Sequence, residues 1–354
     1  MITVDALVDQ GARRWGRFAA RPDLVNPLDA FAGRRRRWEG FRLKEWVGFT
    51  LLHPDWGISM IIQDAKYLAT SEIYGCRRST GELFEHSAAG RRQATLPPRL
   101  LDGGWCAFES AGYHLRYAFD RDNGSHRIMI DILESAGGPA FSGELELDAV
   151  RSSAPLAVSS PLRDRQGGSA AAMFTYKQVF PAFGRLEIDG QEVDFSPDRD
   201  FAIIDEHRTH LPYRADWDWG TFAVRTPTGI LGANFAARQQ AAGAEEESCI
   251  WTPGTDGTEA QCEPLAHVTF SAMPSGGNVA SDQLTPARVT SADGRLELVF
   301  TPLGRKSARH RLVVASIDYF QLCGTYRGLV RSLDGTSHDL VDVPGVLERM
   351  HARL

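Results

Sequence analysis

Acids, imidazoles and indoles crowd one segment of this chain, Ile203 to Asn234. It holds Asp205, Glu206, His207, His210, Asp216 and Asp218 around Tyr213, Trp217 and Trp219. Carboxyls and imidazoles donate and accept protons, and indoles make apolar walls that shift their pKa values. Asp205 and His207 are two apart, so on a strand they share one face and Glu206 takes the other. A carboxylate beside an imidazole fixes its tautomer and raises its basicity. The same pair also serves as a plain hydrogen-bond cluster at a strand end. Trp217-Asp218-Trp219 alternates in the same way. Either the indoles line a cavity, or they are core and Asp218 is the inward group.

Other residues could complete such a site. Lys177 follows Phe174-Thr175-Tyr176 at a strand-like position. It reads as a base of shifted pKa, as a counter-ion for Asp205, or as a surface lysine whose stem snorkels. Asn234 lies on a central-strand pattern, Gly232-Ala233-Asn234-Phe235. A polar amide there needs a partner, so it orients a ligand or ties down a loop. Glu45-Trp46 and Asp64-Ala65-Lys66-Tyr67 repeat the acid-plus-aromatic theme, with packing the commoner role for Trp46 and Tyr67. The candidate catalytic residues are thus Asp205, His207 and Asp218. Trp217, Trp219, Tyr213, Asn234, Lys177, Tyr67 and Trp46 are candidates for holding a ligand. No Gly-rich phosphate loop, Gly-x-Ser-x-Gly or His-Glu-x-x-His is present, so neither a cofactor nor a metal is expected. His207 and His210, three apart on a loop or strand, are a weak metal signal.

The elements that must position these groups are strands. Tyr113, Leu115, Tyr117 and Phe119 alternate with polar neighbours, as do Ile128, Ile130 and Ile132, and Leu296, Leu298 and Phe300. Asn123-Gly124, Asp189-Gly190, Asp293-Gly294 and Asp334-Gly335 supply hairpin turns between such runs. Helical signals are few and lie in the first twenty residues and at Val346 to Leu354. The stretch Val150 to Ala172 lacks periodicity and reads as a connection; Ala237 to Glu247 and Pro274 to Thr285 read as loops. The pattern predicts an all-β chain of two antiparallel barrel or sandwich domains, 1–172 and 173–354.

Composition narrows the classes. Hydrophobic residues make up 43%, enough for a large core, and 354 residues favour two domains. A net charge of −6 argues against a nucleic-acid partner. The run Arg34-Arg35-Arg36-Arg37 reads first as a solvated face and second as a phosphate or membrane contact. Five scattered cysteines, none in a C-x-x-C pair, suit free thiols in a reducing cytoplasm. No apolar run approaches a membrane span, and no signal peptide is visible, so a cytoplasmic protein is expected, with peripheral membrane contact left open. Nothing in the sequence fixes the oligomeric state.

The order of motifs resembles the bacterial domain-of-unknown-function family 2804, a distant relative of carotenoid 1,2-hydratases (hydroxyneurosporene synthases) and other lipocalin-like two-domain proteins. The resembling stretches are Trp38 to Tyr67, Tyr176 to Gly190, Ile204 to Asn234, and Glu247 to Glu348. Landmarks in the last are Ser248-Cys249-Ile250-Trp251, Gln321-Leu322-Cys323-Gly324-Thr325-Tyr326-Arg327-Gly328 and Gly345-Val346-Leu347-Glu348. The hydratase relatives carry an Asp–basic–Glu–Trp element and then a Trp-Asp-Trp-Phe-like strand. Asp205 matches the first Asp, Glu206 and His207 stand in exchanged order, and Trp217-Asp218-Trp219 matches the second element.

The resemblance implies two lipocalin-like barrels or half-barrels with an apolar cavity near their junction. It also implies cofactor-independent hydration, cyclisation or isomerisation of a polyene or terpenoid-like molecule. In that reading Asp205 or Asp218, kept protonated by the indoles, is the general acid. His207 orients it or takes the proton back, and the indole faces stabilise a developing cation. The competing expectation is a non-catalytic carrier of a lipophilic small molecule.

Overall fold

The computed structural model describes residues 2–162, 171–238, 247–254, 259–273, 284–311 and 316–353. Strand alternation dominates, and it yields two large antiparallel sheets, each curled into a half-barrel. The first runs in the order Glu82–Gly90, Ala69–Arg77, Trp56–Asp64, Leu43–Leu52, Phe201–His210, Ala171–Ile188, Phe141–Asp148, Ser125–Ile132, Tyr113–Asp120, Asp102–Ser110 and Ala94–Thr95. The second runs Gln261–Pro264, Cys249–Thr252, Gly229–Arg238, Arg214–Thr226, Ser337–Arg353, Ser316–Arg331, Leu296–Arg311, Ala287–Ser291 and Val268–Ser271.

The hairpin dipeptides sit where their chemistry demands. Asp189 and Gly190 both take positive φ, 55° and 69°, between Ala171–Ile188 and Gln191–Phe195. That is the backbone a two-residue turn of primed type requires.

The two sheets meet between His210 and Arg214 in the chain. The expected boundary at 172/173 instead falls inside Ala171–Ile188, an 18-residue strand of the first sheet. The preceding stretch had looked like a linker because it is rich in Ser and Ala. It contains the strand Leu156–Leu162, which pairs with Ala171–Lys177. The rest of that stretch, 163–170, lies outside the described residues, as does most of each expected loop at 237–247 and 274–285. The helix expectations also change. Val346 to Leu354 continues the strand Ser337–Arg353, and the first twenty residues hold short strands. The α-helix among the described residues is Gly33–Arg42, which carries the arginine run. Four arginines at the positive end of a helix dipole weaken the isolated helix, which is why its sequence does not advertise it.

Each half-barrel has its own core. Val47, Phe49, Leu51, Ile58 and Tyr117 fill the first; Phe222, Phe235, Phe300 and Tyr326 fill the second. Between them lies a third apolar layer, where Leu52, Val179, Phe201 and Ile203 of one sheet meet Ala223, Ile230 and Trp251 of the other. Strand Phe201–His210 is therefore covered on both faces, and its apolar run at Phe201 to Ile204 reflects that. Each such side chain contributes about 1.5–3 kcal/mol on burial.

A second contact fixes how the sheets align. Cys76 pairs across its ladder with Gly57, and Cys323 with Gly304. A Cβ on Gly57 would lie 2.5 Å from Cys323 Sγ, and one on Gly304 2.7 Å from Cys76 Sγ. Each thiol thus seats in the gap left by a glycine of the opposing sheet. All five cysteines are free and buried.

Candidate active site

Alternation along Phe201–His210 sends two acids in opposite directions. Glu206 points into the first half-barrel, where Arg21 donates to both its oxygens at 2.6 and 2.8 Å and Arg208 lies 3.2 Å away. Arg208 in turn pairs with Glu45. This fully buried network keeps Glu206 ionised: burial opposes the charge, and the two guanidiniums outweigh it.

Asp205 and His207 face the seam between the sheets. His207 Nε2 lies 3.2 Å from Asp205 Oδ1, 3.3 Å from Glu247 Oε2 and 3.1 Å from Thr175 Oγ1. Its Nδ1 is buried and has no hydrogen-bond partner. With the proton on Nε2, donated to Thr175 Oγ1 and near two carboxylates, Nδ1 presents a free lone pair. Trp46 stacks on the imidazole at 4.4 Å between ring centroids.

Lys177 is buried rather than snorkelling, 1% exposed, with Nζ 2.6 Å from Asp205 Oδ1 and 3.5 Å from Glu247 Oε2. It is a counter-ion, held on the neighbouring strand directly opposite Asp205. Glu247 also accepts from Arg238 Nε at 2.8 Å. Desolvation pushes the Asp205 and Glu247 carboxyls up, but the neighbouring cations win and hold both below the usual carboxylate range. Of the two acids expected to be protonated, Asp205 or Asp218, Asp205 is kept ionised by its lysine. The Asp205 side chain remains 27% accessible to solvent.

The second sheet supplies the facing wall. Trp217 and Trp219 point into the seam, and Asp218 points away, held by Arg349 Nε and Nη2 at 2.6 and 2.9 Å. Trp219 Nε1 donates to Asn234 Oδ1 at 2.8 Å, and Asn234 Nδ2 donates to the Glu247 carbonyl at 2.5 Å. Asn234 therefore orients the indole and ties down the Glu247 backbone. One face of each indole is already occupied: Lys177 Nζ lies 4.9 Å from the Trp219 ring and the Arg238 guanidinium 5.1 Å from Trp217. Tyr213 is exposed at the turn between the sheets, and Tyr67 is exposed beside Phe41.

The seam also holds a carboxyl that the sequence reading did not single out as a site residue. Glu348 Oε1 accepts from Trp217 Nε1 at 2.8 Å, and Oε2 from Gln321 Nε2 at 2.8 Å and Tyr319 OH at 3.1 Å. Tyr74 OH, from the first sheet, donates to Gln321 Oε1. Burial pushes the Glu348 carboxyl up, and the negative charge of Asp205 adds to that; three donated hydrogen bonds only partly offset it. It had been hidden because Val346 to Leu354 resembled a helix. As a strand, its alternation puts Val346 and Glu348 on the seam face, opposite Leu347.

Among the described residues no group of three or more His, Cys, Asp or Glu side chains could hold a metal ion, and no helix is long and apolar enough to cross a membrane.

The model of the family described as domain of unknown function DUF2804 matches residues 26–354. No curated protein matches the sequence. Two solved structures align over 88% of this chain and 88% of their own. One is the crystal structure of CghA with Sch210972, at 12% identity and TM-score 0.49. The other is the crystal structure of kievitone hydratase from Nectria haematococca, at 10% identity and TM-score 0.42.

Proposed function

We propose that this protein, which belongs to the DUF2804 family, is an enzyme that moves protons on a hydrophobic, unsaturated small molecule bound in the inter-sheet seam. The observation that carries this is the pair of carboxyls with opposed acidities. Glu348 is held toward its neutral form and Asp205 toward its ionised form, on facing sheets and close enough to influence each other. Two titratable groups pushed apart in this way can divide acid and base work at one pH.

Glu348 is the general acid in this reading. It gives its proton to a C=C or C=O bond, and Trp217, Gln321 and Tyr319 then stabilise the carboxylate left behind. The Asp205–His207 pair is the base. Nδ1 of His207 takes a proton from water or from a carbon next to the developing cation, while Thr175 Oγ1 accepts from Nε2–H and the charge that builds on the ring is met by Asp205 and Glu247. Capture of water gives a hydratase, loss of a carbon-bound proton an isomerase, and attack by a second double bond a cyclase. Trp46, Trp217 and Trp219 supply apolar walls. Asp218, on the other side of its strand, holds the sheet rather than the substrate.

The test is proton exchange at carbon. The purified protein is incubated in deuterated water with a panel of polyenes, terpenoids and unsaturated ketones, together with any ligand identified by mass spectrometry of the native protein. Deuterium enters carbon with the wild type and not with Glu348→Gln. A ligand that stays bound and unlabelled throughout would make the protein a carrier.

A further inference from the structure

The helix Gly33–Arg42 turns its outer side to solvent, and that side is both cationic and aromatic. At 100° per residue, Arg34, Arg37, Trp38 and Phe41 fall within about 100° of arc. Trp38 is 62% exposed and Phe41 52%, and the rings stack at 6.4 Å. Tyr67, 48% exposed, joins them at 5.7 Å from Phe41, and Leu68 beside it is also exposed. Lys44 Nζ lies 5.0 Å from the Tyr67 ring and donates to the carbonyls of Phe41 and Ala65, so it clamps the group together. Other exposed apolar side chains are scattered along the chain; here four are contiguous.

The surrounding charges are unequal. Arg36 is engaged by Asp29, Arg35 and Arg42 by Glu39, and Lys66 by Asp64 and Glu45. Arg34 and Arg37 make no ion pair among the described residues and are exposed. On a chain of net charge −6 this is a local positive face, set around exposed aromatic rings. Indoles and phenols lie at the level of lipid headgroups, and arginines beside them meet the phosphates of anionic lipids.

We infer that this patch docks the protein on an anionic membrane surface. The patch also leads to the seam. Lys44 and Trp46 share one face of strand Leu43–Leu52, two residues or about 7 Å apart, and Trp46 covers His207. A lipophilic compound leaving the bilayer at Trp38 and Phe41 would meet Trp46 next. Docking stands by itself; only this delivery step rests on the proposed chemistry.

The experiment is sedimentation of the full chain with phosphatidylcholine vesicles, with and without phosphatidylglycerol. Wild-type protein pellets with the anionic vesicles at low salt and is released as salt screens the attraction. Arg34→Gln with Arg37→Gln lowers the partition coefficient by on the order of thirtyfold. Trp38→Ala with Phe41→Ala lowers it by about tenfold or more. All four side chains are exposed, and unchanged circular dichroism and melting confirm that the variants fold. Failure of the wild type to bind anionic vesicles overturns the inference, as does equal binding by both variants. A wild-type dimer that the aromatic variant dissolves would instead make the patch a contact between copies and would also overturn it.

Discussion

Asp205 and Glu348 face one seam from opposite sheets, and their surroundings push the two carboxyls in opposite directions. Lys177 and His207 overcome burial at Asp205. At Glu348 burial prevails over three donated hydrogen bonds.

Glu348→Gln separates chemistry from stability. The amide keeps the shape but has no proton to give, and turnover falls by on the order of 10²–10⁴. Stability is expected to change little. A carboxyl raised in the folded state favours folding below its ordinary value of about 4.3, and that contribution is lost as pH rises through the raised value. At pH above that value the glutamine removes a buried charge but turns its amide N–H toward a donor, Trp217 or Gln321, so the two effects offset and stability is expected to stay within about 1–2 kcal/mol of wild type in urea melts. A large loss of stability would assign Glu348 a purely structural role.

The rate should fall on the alkaline side as Glu348 ionises. Activity measured against pH is therefore expected to decline through the raised Glu348 value, and His207→Gln should leave that alkaline limb in place while lowering the maximum rate. An alkaline limb that disappears with His207 would move the acid role to the imidazole.

Asp205→Asn leaves Lys177 in the seam without its nearest carboxylate, with Glu247 at 3.5 Å as the remaining one. A destabilisation of about 3 kcal/mol is expected. Adding Lys177→Met should recover much of it, because the stranded charge is then gone. Chemical denaturation of the two single variants and the double variant measures this coupling; strictly additive losses would contradict it.

Glu206→Gln is the control for an acid one residue from Asp205 but on the other face of the strand. It strands the Arg21 guanidinium inside the first half-barrel, while Arg208 keeps its pairing with Glu45. A loss of about 3 kcal/mol is expected, with the pH profile of the remaining activity unchanged. A shifted profile would place Glu206 among the proton-transfer groups.

Acid should weaken the fold before the carboxylates titrate. Burial pushes His126 and His210 down to about 4, and His126 Nδ1 accepts the Asp120 N–H at 3.1 Å. Both are held neutral, so their stability is complete above the ordinary value of about 6.5 and is lost as pH falls through about 4. The urea midpoint is expected to drop across that window, as the unfolding free energy falls by up to about 3 kcal/mol for each group. A midpoint flat over the window would contradict the burial of these rings.

The sheets were legible in the sequence because one-face burial leaves a period of two. Tyr113 to Phe119 and Ile128 to Ile132 pair in register as that alternation requires. The Asp205–His207 face was legible for the same reason, as was the opposite turn of Glu206. What escaped depended on partners far along the chain. Lys177 looks like any lysine until Asp205 stands across the ladder from it. Glu348 meets Trp217, 131 residues earlier, and its ten-residue neighbourhood has no clean alternation because both faces of Ser337–Arg353 are used. The change of sheet at Leu211 to Tyr213 is three residues long and holds a single turn former, Pro212, whereas Val150 to Ala172 is long and rich in Ser and Gly, so composition points to the latter.

The thiols of Cys76 and Cys323 behave as dowels. Each is seated over a glycine of the other sheet, so sliding by one pleat would bring Ser59 against Cys323 where Gly57 now leaves room. Shear between the half-barrels is thereby resisted at this point. Strands Ala69–Arg77 and Ser316–Arg331 carry the two thiols; Phe201–His210, with Asp205, lies three strands away in the first sheet, about 14 Å. There Phe201 and Ile203 pack against Ala223, Ile230 and Trp251, so the seam around Asp205 is pinned from two sides and a guest must fit a gap of fixed width.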